Sequence, residues 1–164
     1  MKEPAVTNST CLIVLDRIGR LDILRGLFEP VMIPPKVQEE FGKVVHWLTV
    51  VAPRNTALIK VLSTVVDDGE AEAIALASEQ DCLLILDDRK ARRWAKSLGL
   101  RVIGTAGLLV LAKGQGVLNE VKPVLESMKR SNFYLHPSLE KEVLRLAGEE
   151  RWSKKKQSKP FVSF

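Results

Sequence analysis

The chain is short of nearly everything that marks a zinc, disulfide or membrane protein. Two cysteines, Cys11 and Cys82, occur in 164 residues, both in apolar surroundings, and neither stands at zinc-ligand spacing from another cysteine or histidine. They read as reduced core residues. No apolar run approaches the roughly 20 residues needed to cross a bilayer, and no signal-peptide pattern opens the chain, so a cytoplasmic protein with no membrane association is the expectation. There is no repeat at a fixed period, and no glycine-rich turn follows the first predicted strand, which argues against a dinucleotide fingerprint. A receiver-type phosphate site fares no better: Glu3 lies before that strand and Asn8 after it is neutral.

What is present suits one compact domain with a tail. Apolar residues make up 46% of the chain, enough for a sizeable core. The net charge of +5 is modest, but basic residues gather at Arg89 to Lys96 and at Arg151 to Lys159, which suits a polyanionic partner or a merely solvated face. We expect the domain to occupy residues 1–150 and a basic C-terminal tail residues 151–164.

Periodicity alternates between short apolar strands and helical stretches. Strands are expected at Ala5 to Thr7, Val31 to Ile33, Leu48 to Val51, Cys82 to Leu86 and Arg101 to Ile103. Helices are expected at Ser9 to Ile18 and Leu21 to Phe28, from Pro34 or Pro35 to Gly42, and over Thr56 to Thr64, Asp68 to Glu79 and Arg89 to Leu98. Three more follow near Ala106 to Lys113, Leu118 to Arg130 and Pro137 to Ala147. The alternation indicates a parallel sheet covered on both faces.

Acidic residues sit where such a sheet places its active crevice, outside the carboxyl ends of its strands. Asp87 and Asp88 directly follow an apolar strand; one is expected to cap the next helix, leaving the other free. Glu70 stands three residues after Asp67 in a capping-box pattern, and Glu72, about 200° around the same helix, cannot face the same point and reads as solvated. Glu39 or Glu40 lies on the helix after Pro35. Oxygen ligands of this kind, brought from separate elements, suit magnesium or manganese acting on a phosphodiester.

Four segments carry a family resemblance: VLDRIGRLDILRGLF, IPPKVQEEFG, GEAEAIALA and LLILDDRKARRWAKSLGLRVIGTAGLLVLAKGQGVL. Together they resemble the PIN-domain superfamily, in particular its small prokaryotic members that look like the toxins of toxin–antitoxin modules. The resemblance implies a three-layer α/β/α fold with a central parallel sheet of about five strands. It also implies a Mg2+- or Mn2+-dependent ribonuclease site of four acidic positions. Carried onto this chain, the second is Glu40, the third Glu70 and the fourth Asp87 or Asp88. The first falls in Val6-Thr7-Asn8-Ser9-Thr10, where Asn8 replaces the aspartate and removes one negative charge from the site.

Two functions therefore compete: a metal-dependent endoribonuclease weakened at Asn8, and a catalytically inactive PIN-like domain that binds RNA or a protein partner. The resemblance further implies RNA and an antitoxin-like protein as partners. Arg89, Lys90, Arg92 and Arg93 are candidates to meet an RNA backbone or are solvated helix residues. The stripe Leu21, Ile23, Leu24, Leu27 and Phe28 would serve a homodimer or the core, and the core is the preferred reading.

Overall fold

The computed structural model describes residues 1–149; the basic tail expected at 151–164 lies outside them. The chain divides into two compact units, Met1–Thr105 and a second beginning at Ala106. The first contains β1 (Glu3–Thr7), α1 (Ser9–Arg17), α2 (Asp22–Leu27), β2 (Phe28–Ile33), α3 (Pro35–Phe41), β3 (Leu48–Val50), α4 (Thr56–Leu62), α5 (Asp68–Gln80), β4 (Leu83–Ile85), α6 (Arg89–Ser97) and β5 (Val102–Ile103).

All four strand pairings are parallel and give the order β3-β2-β1-β4-β5. The central strands are continuous apolar runs because both of their faces are covered. One face carries Val6, Met32 and Leu84, which pack with Leu62 of α4, Ile74 and Ala77 of α5, and Ala91 and Ala95 of α6. The other carries Ala5, Thr7, Ile33 and Ile85, all fully buried. Cys11 brings α1 to that face through contact with the Thr7 side chain. The result is the expected three-layer α/β/α arrangement around a five-stranded parallel sheet.

The alanine-rich helix α5 shows how composition becomes packing. Ala71, Ala73, Ile74, Ala75, Leu76 and Ala77 are all at most 1% exposed, and their mostly small side chains let the helix lie close against the sheet. Its start is fixed by the capping box: Glu70 N donates to Asp67 Oδ1 at 2.8 Å and Asp67 N donates to Glu70 Oε1 at 3.2 Å. Helix α3 begins at Pro35 and closes at Gly42, whose φ of 75° is the left-handed cap that glycine adopts without strain.

Two boundaries differ by three or more residues from the sequence reading. Strand β2 starts at Phe28 rather than Val31, because Phe28 pairs with Glu3 across an irregularity in the β1–β2 register. After β5, α7 (Thr105–Gly114) and α9 (Pro137–Leu146) fall near their expected places, but α8 (Lys122–Arg130) starts four residues later than expected. The carboxylate of Glu149 fixes that start, accepting from Val121 N at 2.7 Å, Lys122 N at 2.9 Å and Lys113 Nζ at 3.0 Å. No helix among the described residues is long and apolar enough to cross a membrane.

The strand order reverses between β1 and β4: connections from β1 run toward β2 and β3, and the one from β4 runs toward β5. Elements leaving these two neighbours diverge and open a crevice at their carboxyl ends. Asn8 N donates to Ile85 O at 3.0 Å and holds the two strand ends together there. Because Leu84 is fully buried in one of these strands, Leu84→Ala is expected to cost about 2–5 kcal/mol. Urea unfolding followed by circular dichroism measures it, and a loss below about 1 kcal/mol would show that the sheet face is not packed as described.

Candidate functional site

Five of the sequence-derived candidates lie near the carboxyl end of this sheet, on four different elements. Asn8 follows β1 as the N-cap of α1, and its Oδ1 accepts from Cys11 N at 3.1 Å. The residue is buried. An amide has a single, uncharged oxygen; here it accepts from the helix and keeps one lone pair, and the other polar group of the side chain is an NH2 donor. An aspartate making the same cap would keep a second, charged oxygen.

Glu70 leads α5. Its Oε1 closes the capping box, and its pKa is pushed up to about 7. Burial is the largest cause, joined by repulsion from Asp67, Asp88 and Glu40, while the backbone hydrogen bond at Asp67 opposes the rise. The same repulsion identifies the carboxylates that surround Glu70. Glu40 arrives from α3 and lies directly over Gly69: a Cβ at position 69 would overlap Glu40 Oε1 and stand 2.9 Å from its Cδ and Oε2. Only glycine lets that carboxylate rest against the first turn of α5.

The paired aspartates separate into two roles. Asp88 is the N-cap of α6, its Oδ2 accepting from Ala91 N at 2.9 Å, and its charge helps to raise the pKa of Glu70. The expectation that one aspartate would cap the helix therefore describes Asp88. The other aspartate, Asp87, is not without partners. Asp87 Oδ1 accepts from Thr105 N at 2.8 Å and Asp87 Oδ2 accepts from Thr105 Oγ1 at 2.6 Å. β5 ends beside β4, and Gly104, which has no side chain, lets Thr105 reach back; a Cβ at Gly104 would stand 3.1 Å from Asp87 Oδ1. Asp87 also helps push the Cys11 thiol up to about 12, second to burial.

Glu72 needs a correction. It was expected to be solvated, yet its Oε1 accepts from Lys36 N at 3.1 Å and caps the start of α3. Helices α3 and α5 pack together, so this face of α5 meets a helix start rather than water. Thr105 is the buried polar residue that sequence reasoning missed. Its signal was the Gly104-Thr105 pair directly after a predicted strand.

Glu40, Glu70 and Asp88 thus form an electrostatically coupled set. No lysine or arginine pairs with any of them, or with Asp87, among the described residues. Their donor chemistry, oxygen only and negatively charged, fits a hard divalent cation, whose charge would relieve the repulsion that raises Glu70. The set is not a preassembled cage: no three aspartate, glutamate, histidine or cysteine side chains among the described residues are grouped to hold an ion as they stand.

A parallel α/β/α domain with acidic residues around its switch point is the architecture of a class of nucleases. The sequence matches the PIN-domain family DUF3368 over residues 4–149, and the chain belongs to that family. PIN domains are typically nucleases and generally use divalent metal ions. None of the curated proteins matches this chain. Among solved structures, a PilT N-terminus domain protein from the hyperthermophilic archaeon Sulfolobus solfataricus P2 aligns at 22% identity with a TM-score of 0.47, covering 66% of this chain and 92% of that one.

Two outcomes follow from this geometry. Gly69→Ala adds a methyl group where the flexible end of Glu40 lies, so the carboxylate moves away while the helix gains up to about 1 kcal/mol of intrinsic propensity. We expect an unchanged or higher melting temperature together with a lower Glu70 pKa, read by NMR titration of the carboxyl carbons. An unchanged Glu70 pKa would show that Glu40 does not contribute to raising it. The second concerns pH. Glu70 rises from an ordinary 4.5 to about 7 in the folded state, so below 4.5 it is protonated in both states and costs nothing. As pH climbs from 4.5 to 7 only the unfolded chain ionises freely, and stability falls. Glu70→Gln keeps the capping oxygen and should flatten that decline in thermal melts; an equally steep decline in the variant would assign the pH dependence to another group.

Proposed function

We propose that the protein is a metal-dependent ribonuclease of PIN type whose catalytic power is limited by Asn8. The observation that carries this reading is the convergence of Glu40, Glu70 and Asp88, without basic partners, at the carboxyl end of a parallel sheet. Supporting it, each of Glu70 and Asp88 uses one oxygen to cap a helix and keeps the other for the crevice. These two residues and Glu40 would hold magnesium or manganese. When bound, such an ion supplies an activated water and neutralises charge growing on the phosphodiester.

The chain's own residues do the rest. Glu40, resting on Gly69, brings its charge to the start of α5, and Glu70, pushed up to about 7 by burial, would give up its proton as it takes the ion. Asp87 is assigned a positioning role: through Thr105 it fixes the turn after β5 beside the crevice. Asn8 contributes no charge, and its amide oxygen already serves Cys11 N. That observation favours the second reading, a PIN-like domain without catalysis that binds RNA or an antitoxin-like protein. RNA is the proposed partner under both readings, and a homodimer is not needed to complete the site.

Cleavage of a labelled RNA with added manganese separates the two. Asn8→Asp keeps the cap, since aspartate and asparagine cap helices equally well, and restores a charged oxygen. It should raise cleavage by on the order of tenfold or more, as even outer-shell changes move metal affinity by 10–100-fold. Glu70→Gln in the Asn8→Asp background should abolish the gain. If Asn8→Asp binds manganese no better than the wild type by calorimetry, Asn8 is not at the metal position and the ribonuclease reading fails.

A further inference from the structure

Arg92 stands out among the basic residues of α6. Its Nε is the one buried side-chain nitrogen or oxygen among the described residues that has no hydrogen-bond partner. Its Nη1 reaches over the end of β5, where a Cβ at Gly104 would stand 3.5 Å from it. Asp87 borders the same glycine but does not relieve the guanidinium: both of its oxygens are held by Thr105, and the two side chains form no ion pair. Arg92 also sits one helical turn beyond Asp88, with Arg92 N donating to Asp88 O at 2.9 Å. A guanidinium with an unmet donor, at a strand end where glycine carries no side chain, has hydrogen-bonding capacity for an acceptor from outside the protein.

We propose that Arg92 binds a non-bridging oxygen of the RNA phosphodiester at the carboxyl end of β5, and so sets the strand's position relative to Glu70 and Asp88. This rests on the ribonuclease reading and adds to it the group that holds the substrate. The planar fork of arginine matches two phosphate oxygens, which the compact ammonium of lysine does not. Arg93, the next residue, is exposed and points about 100° away around the helix, so it meets phosphate at most as a solvated charge.

The test uses the full chain and a short fluorescein-labelled polyuridine RNA in chelator, so that binding is read without cleavage. Arg92→Ala should weaken binding roughly tenfold and lower the slope of log affinity against log salt by about one. Arg92→Lys should retain the salt slope yet remain several-fold weaker, whereas Arg93→Ala should lose less than about threefold. A purely structural arginine would change the melting temperature and leave the salt slope alone. Binding of Arg92→Ala equal to wild type, or equal losses for Arg92→Ala and Arg93→Ala, overturns the assignment. Manganese-dependent cleavage of the same RNA by the wild type keeps the two ideas apart. If it persists while Arg92→Ala binds normally, only the arginine role falls; if the wild type neither binds nor cleaves, the ribonuclease reading falls with it.

Discussion

Everything at the candidate site hangs on the parallel pairing of β1 with β4, two strands about 80 residues apart in the chain that meet at the middle of the sheet. Their pairing is stabilised by burial on both faces, and it is not reinforced by any local turn. Because the chain leaves the two strands in opposite directions, their carboxyl ends part and open the only kind of crevice a parallel sheet makes. Asn8 and Asp88 are the first residues past those ends to cap the following helices. Their position is therefore a consequence of topology before it is a matter of chemistry.

Helix starts and the candidate site draw on the same oxygens in this protein. Asn8, Glu70 and Asp88 each give one oxygen to an otherwise unpartnered backbone amide at the first turn of a helix. A carboxylate can do this and still present a second, charged oxygen to the crevice. An amide cannot. The exchange of aspartate for asparagine is therefore nearly silent for the fold, where the two cap equally well, and leaves the crevice one charged oxygen short. The raised pKa of Glu70 belongs to the same economy of space: carboxylates collected at helix starts repel one another when no basic side chain is placed among them.

Much of this was legible in the chain. The Asp67–Glu70 capping box, the alanine run of α5, the glycine closing α3 and a capping aspartate before α6 all follow from local spacing, and all occur. Contacts between elements were not legible. Nothing local to Glu72 says that the start of α3 lies over it, and nothing local to Gly69 says that Glu40 rests there. Thr105 is similar: its hold on Asp87 spans 18 residues and exists only because β5 ends beside β4.

By itself, then, the order of residues determined the alternation of strands and helices, the positions of most helix starts, and the types of side chain available for chemistry. These depend on hydrophobic period and on hydrogen bonds within a few residues. The tertiary structure decided which carboxylates share a space. It joined Glu40, Glu70 and Asp88, withdrew Asp87 to Thr105, and left Arg92 beside Gly104. The physical reason is that electrostatic coupling and steric clearance depend on distance in space, and the strand order that sets those distances is a property of how distant apolar runs pack.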